Sequence, residues 1–426
     1  MSHASAQTSD SWKPLLSGPL QAEALKVAEA ITQDVANLSL EGLPWGLLEG
    51  HPGYALFFEM ASRTLKPELL DKVVECLQAG TEAFARAKWH QLDLHGGLGG
   101  LGWVAAHLAR RYPSLDVEDL CAPVDEHLNA ELSRTPWAYP CDIRSGLSGM
   151  GLYVLERLPA PGARQLLARM VAKAEETAER SEEGITWSMP SSHWGIYGRN
   201  SQFPQGLYTM GVAHGIPGMM AFLAAVHASG IEQERCAALL DAGFRWIANR
   251  SNPEGHPGFP HYFHGRERVM DDRFSWCVGS PGIIAGLWWA ARTWGHPGWR
   301  ERTQEWAVHI AREALERQPV RGSSNLCCGS AGAAQVFIRL HQENPHPAFE
   351  EAAVRWIQHT LALRQPGLGI GGYCFEQDPT KPSPNIQFGA AGVALTLLAA
   401  ATPVEPDWDQ CFLFSVKAPS LPTAAP

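Results

Sequence analysis

Residues 215–223 read GIPGMMAFL, two glycines three apart followed by an unbroken apolar run. The same pattern recurs at 50–58 (GHPGYALFF), 96–104 (GGLGGLGWV), 146–154 (GLSGMGLYV), 279–288 (GSPGIIAGLW), 329–337 (GSAGAAQVF) and 389–397 (GAAGVALTL). The starts lie 46, 50, 69, 64, 50 and 60 residues apart. A single Gly-x-x-Gly carries no information, but seven copies at this spacing, each opening a similar apolar run, mark an internal repeat.

Between the copies lie charged segments with apolar residues at helical spacing, at 21–38, 67–88, 117–133, 162–180, 231–250, 299–318 and 348–365. Such a segment covers a core with one face, whereas a helix apolar on every side must be buried. The sequence therefore predicts an all-α protein, an α/α toroid (double α-barrel) of seven Gly-led inner helices and seven amphipathic outer ones. Glycine at each inner-helix start lets backbones approach where a Cβ would collide. Length alone, 426 residues, suggests about three domains. The repeat replaces them with one domain over 16–412, between a disordered tail at 1–15 and a flexible tail at 413–426. Two stretches of low periodicity, 185–206 and 251–273, are expected to form loops, the first covering one end of the ring.

Hydrophobic residues make up 45% of the chain and charged residues 18%, which excludes a disordered chain and a coiled coil. The net charge is -10 with no basic stripe, so nucleic acid is excluded as a partner on electrostatic grounds. The N-terminus, MSHASAQTSDSWKP, has no apolar signal region. The longest apolar stretch, 388–404, is interrupted by glycine and threonine and reads as a buried helix rather than a membrane span. A cytoplasmic location follows, and the nine cysteines are then thiols or metal ligands rather than disulfides. Cys76, Cys121 and Cys236 fall within amphipathic patterns, where a thiol behaves as a small hydrophobe.

Because the repeats are equivalent, a fixed offset before each Gly-x-x-Gly becomes proximity on one rim of the ring. One residue before the first glycine stand Glu49, His95, Ser145, His214, Val278, Cys328 and Phe388. Two before stand Leu48, Leu94, Arg144, Ala213, Cys277, Cys327 and Gln387. Cys277, Cys327, Cys328 and His214 thus converge, with Asp142 and Arg273 on the same edge. Three thiolates supply three corners of a tetrahedral Zn2+ site and leave the fourth to water or substrate, the catalytic arrangement. The alternative is three buried thiols; Cys141, beside Asp142, is a reserve ligand.

SWCVG around Cys277, LCCG around Cys327 and Cys328, AHGIPG around His214 and DIRSGLSG around Asp142, set on the sevenfold repeat, resemble the lanthionine synthetase C-like (LanC-like) cyclases over nearly the whole chain. The resemblance implies a seven-plus-seven toroid that holds Zn2+. It also implies the chemistry: thioether rings, lanthionine and methyllanthionine, made by adding peptide cysteine thiols to dehydroalanine or dehydrobutyrine. On that resemblance Cys277, Cys327 and Cys328 are the zinc ligands, Cys328 standing where many members have histidine, as in a Cys-Cys-Gly subgroup. The swap gives three protein thiolates and a net charge of -1 at the metal, which implies a more reactive bound sulfur. His214 and Asp142 take acid/base roles, and Arg273 the stabilisation of the developing enolate. Beside these roles stand structural readings: a core-satisfied His214, a capping or structurally hydrogen-bonded Asp142, and an ion pair of Arg273 with Asp271 or Asp272.

Two positions depart from or complicate the pattern. Val278 stands where many members have tyrosine, and His95, read as equivalent to His214, is either a second proton carrier or a packed histidine. The expected partners are a dehydrated precursor peptide with its leader, a separate dehydratase, since no kinase-like or dehydratase-sized region precedes the ring, and an exporter. The same zinc site also suits an enzyme that adds glutathione to dehydroamino acids, or a non-catalytic zinc-containing peptide-binding scaffold. A protein prenyltransferase subunit shares the toroid and the thiol chemistry, but its zinc ligands include an aspartate and its repeats differ.

Overall fold

A computed structural model describes residues 12–416 apart from residues 40, 88–90, 161, 190–205, 251–258, 271–272, 318–322, 376–377 and 379–380. Residues 1–11 and 417–426 of the expected tails, and most of the first long loop, lie outside the described residues.

Each Gly-x-x-Gly opens an inner helix: α2 (His51–Thr64), α4 (Leu98–Arg111), α6 (Leu147–Glu156), α8 (Ile216–Ala228), α10 (Ser280–Trp294), α12 (Ser330–Glu343) and α14 (Ala390–Ala401). Each charged segment forms an outer one: α1 (Gly18–Ala36), α3 (Leu70–Arg86), α5 (Glu118–Glu131), α7 (Ala163–Thr177), α9 (Gln233–Arg250), α11 (Pro297–Glu316) and α13 (Pro347–Ala362). The inner helices touch in the order α2, α4, α6, α8, α10, α12, α14 and back to α2, so the ring closes. Outer helices pack on the inner ones, α3 on α2 and α13 on α12 for instance, and α1, first in the chain, packs on α14 across the closure. The all-α toroid of seven inner and seven outer helices is therefore the observed architecture. Among the described residues no helix is long and apolar enough to cross a membrane.

Burial explains the two classes. In α8 every residue from Ile216 to Val226 is buried, and side chains such as Met219, Phe222 and Leu223 contribute roughly 1.5–3 kcal/mol each on leaving water. In α3 only Val73, Cys76 and Gly80 are buried, a single stripe on a charged helix. Prolines at the first turn of α2, α8 and α10 supply a fixed φ where no backbone N–H bond is lost. The glycines answer a close approach rather than a left-handed backbone, since each caps its inner helix with extended φ and ψ. At Gly282 a Cβ would overlap the carbonyl of Trp276 in the preceding loop.

Both stretches expected as loops contribute short strands. Glu179–Ser181 (β1) pairs antiparallel with Gly184–Thr186 (β2). Tyr208–Thr209 (β3), Tyr262–His264 (β4) and Glu267–Val269 (β5) make a second antiparallel sheet that ties one long connection to the other.

The domain boundaries need correction. Trp12 is buried, its Nε1 donating to Ala399 O at 3.0 Å and its ring lying under the Arg339 guanidinium, so the packed chain starts before residue 16. At the other end Leu413, Phe414 and Ser415 are buried, so the tail does not begin at 413. A 3-10 turn at Asp407–Phe412 and the residues after it fill the middle of the ring. Trp276 Nε1 donates to Phe412 O at 2.8 Å and Trp289 Nε1 to Phe414 O at 2.6 Å. Asp407 pairs with Arg63 of α2 (2.8 Å) and Arg111 of α4 (2.6 Å), while buried Asp409 pairs with Arg339 of α12 (2.7 Å). An aromatic segment with two carboxylates that find arginines on the inner helices has no reason to fray.

Candidate metal centre on the ring rim

The loops before the inner helices are stitched together by backbone hydrogen bonds at one repeating position. Leu48 N donates to His95 O (3.1 Å), His95 N to Arg144 O (3.2 Å), Ala213 N to Cys277 O (3.2 Å), Cys277 N to Cys327 O (3.1 Å) and Cys327 N to Gln387 O (3.1 Å). This register corrects one expectation. GGLGG offers two overlapping Gly-x-x-Gly pairs, and the structure uses the second, with Gly97 capping α4. His95 therefore shares its ring position with Cys277 and Cys327, not with His214. It is a packed histidine: burial lowers its pKa to about 3, and its Nε2 meets Cys411 O at 3.2 Å.

The stitching brings three sulfurs together. Cys277 Sγ lies 3.4 Å from Cys328 Sγ, Cys328 Sγ lies 3.6 Å from Cys327 Sγ, and all three fall within 4.8 Å of one another. Cys277 and Cys327 are buried and Cys328 is partly open. Hydrogen bonds from Cys327 and Cys328 hold the Cys277 thiol well below its ordinary value, and sharing that proton with Cys277 pushes Cys327 up. Thiolates bound to zinc at about 2.3 Å sit roughly 3.8 Å apart in a tetrahedron, so this donor set fits a soft divalent ion with little rearrangement. Gln387 Nε2 donates to Cys327 Sγ (3.6 Å), and Asn325 Oδ1 accepts from Cys328 N (2.8 Å), fixing the loop that carries two of the sulfurs.

On the neighbouring loops His214 Nδ1 meets Asp142 Oδ2 at 2.7 Å. A carboxylate only accepts, so Nδ1 carries the proton and Nε2 is the free ring nitrogen. The buried Asp142 also caps its own loop, Oδ1 accepting from Ser145 N at 2.8 Å. Burial alone would raise its pKa, but the His214 hydrogen bond, the imidazole charge and the Ser145 amide together hold it below the ordinary carboxylate value. Asp142 thus caps its own loop and partners His214 at once. A proton on His214 Nε2 would place a charge near enough to favour the Cys277 thiolate, and the Arg273 charge acts likewise on Cys328. Asp271 and Asp272, the expected structural partners of Arg273, lie outside the described residues.

Cys141 is not brought in: its Sγ faces Thr177 Oγ1 at 3.3 Å, away from the sulfur cluster. Sequence reasoning missed Gln387 and Asn325 as supports. Gln387 stood in the row with Cys277 and Cys327, but an amide at that offset carried no signal until its sulfur contact was visible. The N-termini of seven inner helices surround this rim and add positive potential that favours thiolates.

A family profile described as lanthionine synthetase C-like protein matches residues 41–413. No curated protein matches the sequence. Among solved structures, nisin cyclase matches with a TM-score of 0.73 at 16% identity, covering 93% of this chain and 97% of that one, a likeness of fold. A sugar epimerase from a ruminal bacterium matches with a TM-score of 0.47 at 12% identity, over 90% of this chain and 98% of that one. An alpha-1,6-mannanase from Salegentibacter sp. HEL1_6 matches with a TM-score of 0.48 at 12% identity, over 89% and 98%.

Proposed function

The chain belongs to the lanthionine synthetase C-like protein family, and from that premise we propose that it is a zinc-dependent cyclase. It would close thioether rings in a dehydrated peptide by adding cysteine thiols to dehydroalanine or dehydrobutyrine. The observation that carries this reading is the cluster of three mutually adjacent thiols beside a hydrogen-bonded histidine and aspartate on one rim. Cys277, Cys327 and Cys328 would hold the ion, which when bound makes a substrate thiol acidic enough to ionise at neutral pH.

The remaining chemistry falls to the chain's own residues. His214, oriented by Asp142, takes the thiol proton at Nε2. Sulfur then bonds to the alkene Cβ, the π pair moves onto the carbonyl oxygen as an enolate, and a proton returned from His214 to Cα completes the thioether. The Arg273 guanidinium, whose charge is felt at Cys328, offsets the enolate charge. The peptide must arrive already dehydrated, so an enzyme that removes water from serine and threonine has to act first.

Ring closure leaves the mass unchanged, so it is read by alkylating the thiols that remain. Zinc-loaded protein is incubated with a dehydrated, cysteine-containing peptide, alkylated and analysed by mass spectrometry. Wild type is expected to protect the thiols and Cys327→Ala to leave them alkylated. Equal alkylation by the two proteins sinks the cyclase reading, and glutathione adducts without ring closure replace it with glutathione addition.

A further inference from the structure

A cavity of about 470 Å³ opens on the arc of the rim built by the first three repeats and the seventh. That volume is within the roughly 300–1,000 Å³ of small-ligand sites. Two of its walls are also walls of the metal centre: Gln387, whose amide donates to Cys327 Sγ at 3.6 Å, and Ser145, whose N–H donates to Asp142 Oδ1 at 2.8 Å. Trp45 supplies an apolar side.

Two polar side chains lining this cavity have capacity that the fold leaves unused. The Arg144 guanidinium makes no hydrogen bond or ion pair among the described residues; only its backbone oxygen is engaged, by His95 N at 3.2 Å. Its charge is felt at Asp93 and His95, which line the same cavity. His95 is neutral and donates through Nε2 to Cys411 O, so its Nδ1 is a bare acceptor, and it has no partner. Arg144 and His95 occupy the ring positions that elsewhere carry Cys277 and Cys327. A cationic donor flanked by an aromatic face matches the C=O of a peptide unit, whereas His95 Nδ1 is closed off from solvent in the resting fold.

We infer that this cavity receives the peptide segment bearing the dehydroamino acid, with Arg144 as the positioning residue that donates to a carbonyl of that segment. The inference rests on the cyclase reading. The substrate thiol must go to the sulfur cluster, so the alkene has to approach from an adjoining space wide enough for backbone. This cavity adjoins the cluster through Gln387 and the proton-transfer pair through Ser145. Lysine at 144 keeps the charge but loses the planar pair of donors.

The test uses the ring-closing reaction of the zinc-loaded full chain with two competing probes. One is a dehydroalanine peptide without cysteine; the other is a cysteine peptide without dehydroalanine. Arg144→Gln is expected to weaken inhibition by the dehydroalanine peptide about tenfold, a charge-assisted hydrogen bond lost, and to leave inhibition by the cysteine peptide and the zinc content unchanged. Arg144→Lys should fall between Arg144→Gln and wild type. Equal inhibition constants in wild type and Arg144→Gln overturn the subsite, as does an equal rise for both probes or a dehydroalanine peptide that fails to inhibit wild type. Wild type that closes no ring removes the cyclase reading and the subsite with it.

Discussion

At the scale of single residues, the site divides into groups visible in the sequence and groups visible only once the loops are in register. Cys277, Cys327, Cys328, His214 and Asp142 were legible because each stands at a short offset from a repeated glycine pair, which turns sequence distance into proximity on the rim. Gln387 and Arg144 stood in the same rows, but an amide and a guanidinium there announce nothing until a sulfur or an empty cavity is seen beside them. Asp142 does two things, and they separate by mutation. Asn keeps an oxygen for the Ser145 amide but not the charge that holds and supports the His214 imidazole. Asp142→Asn is therefore expected to lower the ring-closing rate about 10²–10⁴-fold while the protein keeps its metal and its melting temperature. A rate close to wild type would reduce Asp142 to a loop cap.

At the scale of elements, all fourteen helices follow from periodicity, because an apolar run and a one-sided stripe are unambiguous over a dozen residues or more. The five strands among the described residues escaped because each is two or three residues long, too short for alternation to register. GGLGG misled for a different reason: two overlapping glycine pairs differ by one residue, and only the backbone bonds to His95 select between them. The second glycine of each pair lets the loop fold against the first turn of its helix, and the loop carries the rim residue. Gly282→Ala, which would drive a Cβ into the Trp276 carbonyl, is expected to cost about 1–3 kcal/mol or more in urea unfolding. It should also surrender metal at a lower chelator concentration, since Cys277 follows Trp276 directly. Gly298→Ala in α11, where the nearest atom is 3.6 Å from the added Cβ, is expected to gain about 0.5 kcal/mol. If Gly282→Ala unfolds together with wild type, close approach is not what these glycines provide.

At the scale of the whole molecule, the closed ring was legible but its filling was not. The segment after α14 is expected from the sequence to turn into a flexible tail at residue 413, because short aromatic stretches without periodicity carry no packing signal there. In the structure it occupies the middle of the ring, with Asp407 set against Arg63, Arg111 and His107. Burial would raise the Asp407 carboxyl, but these three cations hold it far below the ordinary value. A depressed folded value stabilises the protein above the unfolded carboxylate pKa, about 3.9, and the benefit fades as pH falls below it. Asp407→Asn should thus cost about 1.5–3 kcal/mol at pH 7, since Arg63 and Arg111 keep Glu59 and His107 keeps Glu156, and the deficit against wild type should shrink steadily below about pH 4. A deficit that stays constant from pH 7 to pH 3 would contradict the pairing.

We propose that the ring serves to hold one thiol-activating metal centre at its rim. X-ray absorption at the zinc edge of the zinc-loaded protein tests it most directly. Three sulfurs at about 2.3 Å plus one light atom are expected, rising to four sulfurs when a cysteine-containing substrate peptide is added. Fewer than three sulfurs in the resting protein, or a coordination shell that the peptide leaves untouched, would contradict it.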